Sequence, residues 1–244
     1  EESQENLERI VVERTKALSE KTKELDDYFS NSIDLFCIAD TDGYFRKLNP
    51  AWEATLGYTL TELVGRRFMD LVHPDDSDAT LAAIASLNDQ EPILNFVNRY
   101  RARDGSYRWI EWQSKLEGRR ILAAARDVTQ RKRTEELSLK TAEILEMIAT
   151  GKSASQVYDE IALMYEAGHP GMRCSMLELE NGVLLHGGAP SLPKAYCDAV
   201  HGLKNGPDVG SCGASTFTSH RVLVEDIATN TKWAEIKDAG LPHG

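Results

Sequence analysis

Charged and apolar positions alternate with a helical period over residues 1–30. The apolar positions recur at two places in each heptad and are Leu7, Val11, Leu18, Leu25 and Tyr28. Arg14 and Lys21 interrupt the second of these places, so the apolar seam is imperfect. The pattern predicts a helix that pairs weakly with a second copy as a parallel coiled coil, and a solvated connector helix is the alternative.

A pattern of short strands and helices begins at Asp34. The apolar run DLFCIAD, the turn TDG and the segment YFRKLN predict a β-hairpin. Helical patterns then cover residues 51–87, interrupted by two glycines and a proline. Thr61 and Asp75 lie where helix N-caps are expected.

Three long strands follow, with the sequences ILNFVNRYRA, YRWIEWQSKLEG and RRILAAARDVT. The dipeptide Asp104-Gly105 between the first two is a strong hairpin signal. Large apolar side chains occupy both odd and even positions of the segment YRWIEW. We therefore expect one face of this strand to line the core and the other to pack against a helix or a second subunit.

The second half of the chain opens with a charged helix that begins near Thr129 and ends at Gly151. Its apolar stripe consists of Leu137, Ile144, Leu145 and Ile148. The rest predicts, in order, a helix capped by Ser153, the strand MRCSMLELE, a turn at Asn181-Gly182, the strand VLLHGG, the helix PKAYCDAVHGL, the strand RVLVEDI and the helix TKWAEIKDAG.

Composition narrows the classes of function. The chain has 244 residues, enough for two domains, and 41% of them are hydrophobic. A net charge of −11 disfavours binding to nucleic acid and to anionic membrane surfaces. No apolar stretch is long enough to span a bilayer. The four cysteines are widely separated and form no CxxC pair, so we expect free thiols in the cytoplasm and no metal site.

Residues 27–132 resemble a PAS domain. The resemblance rests on RARDGSYRWIEW, ARDVTQRKRTEE and, before them, the ordered motifs Asp42-Gly43, Asn49-Pro50, Gly57-Tyr58, Gly65 and His73-Pro74-Asp75-Asp76. It implies an α+β fold, with a five-stranded antiparallel sheet flanked by helices. We place this domain at residues 27–130, after an N-terminal signalling helix at residues 1–26.

Residues 141–244 resemble a GAF domain, most specifically in the segment GSCGASTFTSHRVLVEDIATNTKWAEIKDAGLPHG. The resemblance implies a second antiparallel sheet with helices. Because further strands and a closing helix usually follow, we expect a truncated GAF-like domain and a natural protein that continues beyond Gly244. A linker helix at residues 131–150 runs into this domain, so coiled-coil-like helices join the two domains.

The two resemblances imply a sensory role in signal transduction. Such modules usually precede a diguanylate cyclase or phosphodiesterase, or the histidine kinase of a two-component system. The chain has no GGDEF string, no EAL string and no kinase phosphoacceptor box, and it shows no convergent nucleophile and base. We therefore expect a homodimeric, non-enzymatic sensor of an unidentified small ligand or partner. For its output domain we favour cyclic-di-GMP turnover. A histidine kinase output and a ligand-free dimerisation scaffold are the alternatives.

No cofactor is predicted. The helix DSDATLAAIASLND lacks the His of haem-binding PAS domains, and residues 65–69 lack the Cys of photosensory ones. Non-covalent FAD stays an alternative, with Trp52 as its stacking residue and a core position as the other interpretation. In the GAF-like half, Cys212 is either an oxidant-sensing thiol or a small residue in a tight turn.

The junction after the last PAS strand is the most interpretable site. Thr129 is expected to cap the next helix, Asp127 to pair with a basic side chain, and Arg131 to open the helix. The resemblance implies that this motif couples the sheet to the exit helix, and a simple helix cap is the alternative. Val11, Leu18, Leu25 and Leu137 are the predicted dimer positions.

Overall fold

The structure, a computed structural model, describes residues 2–234. The chain divides into two compact units, residues 1–134 and residues 135–244. The first begins with helix α1 (Glu2–Asn31), as the helical pattern predicts. Val11, Leu18 and Leu25 on this helix are 55%, 69% and 68% exposed. Their pairing with a second copy stays a prediction.

The centre of the first unit is the predicted five-stranded antiparallel sheet. Its strands are β1 (Leu35–Asp40), β2 (Phe45–Leu48), β3 (Ile93–Arg101), β4 (Tyr107–Glu117) and β5 (Arg120–Asp127). They lie in the order β2-β1-β5-β4-β3, so β5 is central and β3 lies at one edge. The turn at Asp104-Gly105 joins β3 to β4, and Gly105 adopts the left-handed φ of 84° that the turn requires.

Successive residues of a strand point to opposite faces of the sheet, and the residues that point to the inner face are mostly apolar. Helices therefore pack on that face. On β5 the buried residues are Ile121, Ala123 and Ala125. The helical elements are α2 (Ala51–Leu56), α3 (Leu60–Leu63), two 3-10 turns (Phe68–Leu71 and Pro74–Asp76) and α4 (Ser77–Asn88).

Both predicted N-caps in this region are wrong. The capping box of α3 uses Thr59 in place of Thr61: the Thr59 hydroxyl accepts the Glu62 N–H at 3.3 Å, and the Glu62 carboxylate accepts the Thr59 N–H at 2.8 Å. Asp75 lies inside a 3-10 turn, where Nδ1 of His73 accepts the Asp75 N–H at 3.2 Å. His73 is therefore the N-cap of this 3-10 turn, and its own backbone is extended.

The second unit has less strand than its sequence predicts. Its elements are the C-terminal part of α5 (Thr129–Ala149), α6 (Ala154–Gly168), β6 (Met176–Glu180), β7 (Val183–Gly188), α7 (Lys194–Val200), α8 (Gly210–Thr218) and a 3-10 turn (Thr231–Trp233). The cap at Ser153 and the Asn181-Gly182 turn are confirmed. The GAF-like identity of this unit stays a prediction.

One segment of the second unit differs from prediction, and another forms a helix where no element was predicted. Residues 221–227 are not a strand, since they pair with neither β6 nor β7 of the sheet that the structure describes here. Residues 210–218 form a helix although glycine and serine disfavour one, and its buried small residues Gly213 and Ala214 explain why tertiary packing prevails. Of the predicted last helix, residues 235–240 lie outside the described residues.

Membrane insertion finds no support in the described helices. Within residues 2–234, none combines the length and the apolar character needed to cross a bilayer.

Candidate sensory site

A cavity of about 60 Å³ lies between the inner face of the five-stranded sheet and helix α4. Helix α4 contributes Thr80, Ala83, Ile84 and Leu87, whose spacing of three, four and seven residues places them on one face. The sheet contributes inward-pointing residues of β1, β3, β4 and β5. The cavity is therefore part of the core of the first unit.

Small side chains in the middle of the sheet make this space. Cys37 on β1 and Ser114 on β4 are both paired with Ala123 on β5, so three small residues form one row across the central strands. All three are buried and line the cavity. A larger side chain at Ala123 would occupy the space that the row leaves open.

A continuous chain of hydrogen bonds lies along one wall of the cavity. The indole Nε1–H of Trp112 donates to Oδ1 of Asn98 at 2.7 Å, and Nδ2 of Asn98 donates to the Thr80 hydroxyl at 3.0 Å. The Thr80 hydroxyl in turn donates to the backbone carbonyl of Asp76 at 2.7 Å. Asn98 is only 1% exposed, so the network ties β4, β3 and α4 together in the core.

Two further hydroxyls line the cavity without such partners. Tyr100 is 2% exposed and Ser114 is 8% exposed, and neither hydroxyl makes a hydrogen bond to another of the described residues. Burial raises the pKa of the Cys37 thiol to about 12. Burial, with Cys37 nearby, also raises the pKa of Tyr100. Both groups are therefore neutral near pH 7.

Trp52 belongs to the aromatic core and does not line the cavity. It is fully buried, and its Nε1–H donates to the backbone carbonyl of Phe36 at 3.1 Å. Its ring lies 5.7 Å from that of Trp112 and 5.6 Å from that of Phe45, centroid to centroid. The structure thus favours the core interpretation of this residue.

The start of helix α5 is hydrogen-bonded to strand β4. The Thr129 hydroxyl accepts the backbone N–H of Trp109 at 2.8 Å, and the Val128 N–H donates to the Trp109 carbonyl at 2.8 Å. Oδ1 of Asp127 accepts the backbone N–H of Thr129 at 2.8 Å. The contacts therefore differ from the prediction: the Asp127 carboxylate accepts the first N–H of the helix, and the Thr129 hydroxyl joins the helix to the sheet.

Arg131 adds an ion pair to the same junction. Its Nη2 lies 2.7 Å from Oε1 of Glu111, two residues beyond Trp109 on β4. The guanidinium is about half exposed, so this pair positions the helix more than it stabilises it. Asp127, Thr129 and Arg131 thus meet at one place, as predicted for a coupling motif, although their coupling role itself stays a prediction.

Strand β4 carries both parts of the site. Trp112 and Ser114 point inward to the cavity, whereas Trp109 and Glu111 hold the start of α5. One face of this strand was expected to line the core, but neither Trp112 nor Ser114 was singled out from the sequence as a cavity residue. Polar residues at inward positions of apolar strands, such as Ser114, were the available signal.

Outside the first unit, the remaining candidates have ordinary surroundings. Cys212 lies exposed on α8, yet desolvation raises the pKa of its thiol, which is opposite to the shift that an oxidant sensor needs. Leu137 on α5 is 55% exposed. Within residues 2–234, no three His, Cys, Asp or Glu side chains are placed to hold a metal ion.

Comparison with known families and proteins shows that the first unit contains a PAS domain. Residues 45–119 match the family model described as the PAS fold. A stretch of 184 residues is 32% identical to the methyl sulfide methyltransferase-associated sensor of Methanosarcina acetivorans, covering 70% of this chain and 18% of that protein. The White collar 1 protein of Neurospora crassa is 28% identical over 81 residues, covering 33% of this chain and 7% of that protein. The chain thus spans less than a fifth of the length of either relative.

Among solved structures, the PAS domain of an HTR-like protein from Haloarcula marismortui is 31% identical to this chain. The superposition covers 47% of this chain and 98% of that domain, with a TM-score of 0.42. A domain of a sensory box sensor histidine kinase/response regulator from Geobacter sulfurreducens is 27% identical, covering 45% of this chain and 96% of that domain, with a TM-score of 0.41.

Proposed function

Because the chain contains a PAS domain of the kind found in sensor proteins, we propose that it detects a small ligand or a partner and passes this signal through helix α5 to an output domain. The fragment itself is non-catalytic in this proposal. Its PAS core is the input, and the junction of Asp127, Thr129 and Arg131 is the coupling element.

One observation carries the proposal: a single strand, β4, both lines the cavity and holds the start of the exit helix. Ser114 at the cavity lies five residues from Trp109, whose N–H binds the Thr129 hydroxyl. A change in the packing of the cavity therefore acts on the strand to which α5 is anchored. A packed core responds to such a change by shifting between discrete arrangements, which is how small local changes reach distant elements.

The proposal includes a homodimer formed through the exposed apolar positions of α1 and α5. Val11, Leu18 and Leu25 lie seven residues apart, and Leu137 is exposed on α5. Burial of these side chains against a second copy removes apolar surface from water. Neither a nucleic acid nor a membrane is a partner of this fragment in the proposal.

For the output we propose a cyclic-di-GMP cyclase or phosphodiesterase in the same polypeptide. Its support is the resemblance of the segment that begins at Gly210 to GAF domains that precede such enzymes, and a histidine kinase is the alternative. The curated relative named as a sensor is much longer than the matched region, which leaves room for further domains in a protein of this type.

A ligand-free scaffold is the rival function, and a cavity-filling variant separates the two. Ala123→Met introduces into the cavity the bulk that a ligand would add, whereas Ala124→Met places the same side chain on the opposite face of β5. We expect Ala123→Met, and not Ala124→Met, to change hydrogen exchange at the first turns of α5. In a Thr129→Val background, which is its own reference, adding Ala123→Met should no longer change this exchange.

The measurement is amide hydrogen exchange by mass spectrometry on the unmodified chain and these variants. Equal exchange of α5 in Ala123→Met and the unmodified chain, with both proteins folded, would favour the scaffold and overturn the proposed coupling.

A further inference from the structure

The cavity also defines the chemical class of its ligand. Resting on the proposed sensory function, we propose that the ligand is an uncharged molecule of about three to five heavy atoms with one polar group. That group exchanges hydrogen bonds with the hydroxyls of Tyr100 and Ser114, and the apolar remainder packs against α4 and the start of β3.

Size is the first constraint. One water occupies roughly 10–15 Å³ of cavity volume on this scale, whereas benzene binds in an apolar cavity of about 150 Å³. A cavity of about 60 Å³ therefore holds a molecule larger than water and smaller than benzene. Short-chain alcohols and ketones have this size, and aromatic rings do not.

Charge is the second constraint. No Asp, Glu, Lys, Arg or His lines the cavity, so a charged ligand would have no ionic partner there. The potentially ionisable lining groups, Cys37 and Tyr100, are deeply buried and stay neutral. An ion without a partner in an apolar interior is strongly disfavoured relative to water.

Polarity is the third constraint. Asn98, Thr80 and Trp112 already satisfy one another, which leaves the hydroxyls of Tyr100 and Ser114 as the open hydrogen-bonding groups of the lining. A ligand oxygen that reaches either hydroxyl can form a hydrogen bond with it and gain binding energy. The other walls are apolar and include Ile84, Leu87 and Phe96, which suit a short hydrocarbon part.

The test uses four probes of related size: 1-butanol, 2-butanone, pentane and butyrate. Binding is followed by nuclear magnetic resonance of the complete chain, through the Trp112 indole N–H beside the cavity. Ala123→Leu, which fills the space, is the negative control.

We expect 1-butanol and 2-butanone to bind with dissociation constants on the order of 1 mM, as befits so few heavy atoms. Pentane should bind about fivefold more weakly than 1-butanol, and butyrate should not bind. Ser114→Ala and Tyr100→Phe keep most of the side-chain volume and should each weaken 1-butanol binding about fivefold while leaving pentane binding unchanged.

Three results would overturn the assignment: butyrate binding as tightly as 1-butanol, equal binding of pentane and 1-butanol, or no binding of any probe to the folded chain. Failure of the sensory function is distinguishable from these. If 1-butanol binds while hydrogen exchange of α5 stays the same in Ala123→Met, the ligand class stands and the coupling fails. If the exchange changes while no probe binds, the coupling stands and the ligand class fails.

Discussion

The hydroxyl of Thr129 accepts the backbone N–H of Trp109 at 2.8 Å, which ties the first residue of α5 to strand β4. Both groups are at least partly buried, and Thr129 itself is 7% exposed. A hydrogen bond in this position is shared by the sheet and the exit helix, so each element constrains the other.

Thr129→Val should lower the free energy of unfolding of the first unit by about 1–3 kcal/mol. Valine has nearly the same shape but leaves the Trp109 N–H without an acceptor. Thr134→Val is the control, because this exposed hydroxyl donates only to the Gln130 carbonyl within its own helix, and its change should be under about 0.5 kcal/mol. Urea unfolding followed by tryptophan fluorescence measures both, and equal values for the two variants would contradict the prediction.

Asn98→Ala should destabilise the core by about 2–4 kcal/mol, because it leaves the Trp112 Nε1–H without an acceptor, removes the hydrogen bond that Asn98 donates to Thr80 and opens a small void. The matched control is Gln113→Ala on the exposed side of β4, which should be nearly neutral. Thermal unfolding by circular dichroism reports both variants. A neutral Asn98→Ala variant would show that the network contributes nothing to stability.

Asp76 should make the stability of the first unit depend on pH in the acidic range. The Arg99 guanidinium, which approaches its carboxylate at 2.6 Å, holds the pKa of Asp76 below its usual value of 3.8. When folding lowers the pKa of a carboxyl group, the ionised group stabilises the folded state at pH values above the pKa of the unfolded state. This stabilisation is lost as the pH falls through the pKa of the folded state.

Asp76→Asn should therefore cost about 1–2 kcal/mol at pH 7 and progressively less below pH 4, as the unmodified carboxylate becomes protonated. Asp75→Asn is the control, because that side chain is 73% exposed and lies farther from Arg99, at 3.4 Å. Unfolding measured from pH 2 to pH 7 checks this. A constant difference between Asp76→Asn and the unmodified chain across that range would refute the linkage.

Glutamate at the predicted seam of α1 should weaken the homodimer. Leu18→Glu with Leu25→Glu replaces two exposed apolar side chains that we expect to contact a second copy, and the dissociation constant should rise at least about tenfold. Lys23→Glu introduces the same side chain on the opposite side of the heptad and is the control. Sedimentation equilibrium measures all three proteins. If the unmodified chain stays monomeric at high concentration, the predicted homodimer is wrong.

Much of the first unit was predictable because its signals are local. The Asp104-Gly105 turn, the short apolar run of β5 and the helical period of α1 each depend on neighbours in sequence. The Asp127, Thr129 and Arg131 motif was identified in the same way, although the division of tasks between Asp127 and Thr129 required the position of Trp109, which lies twenty residues away.

The sequence by itself determined the strands, the main helices and the PAS resemblance of the first unit. Only the tertiary structure decided that Cys37, Ala123 and Ser114 form one row, that Trp52 lies outside the cavity, and that residues 210–218 are helical while residues 221–227 are not a strand. The physical reason is the same in each case. A cavity, a pairing partner and a buried surface are made by residues distant in sequence, and their packing can override local propensity.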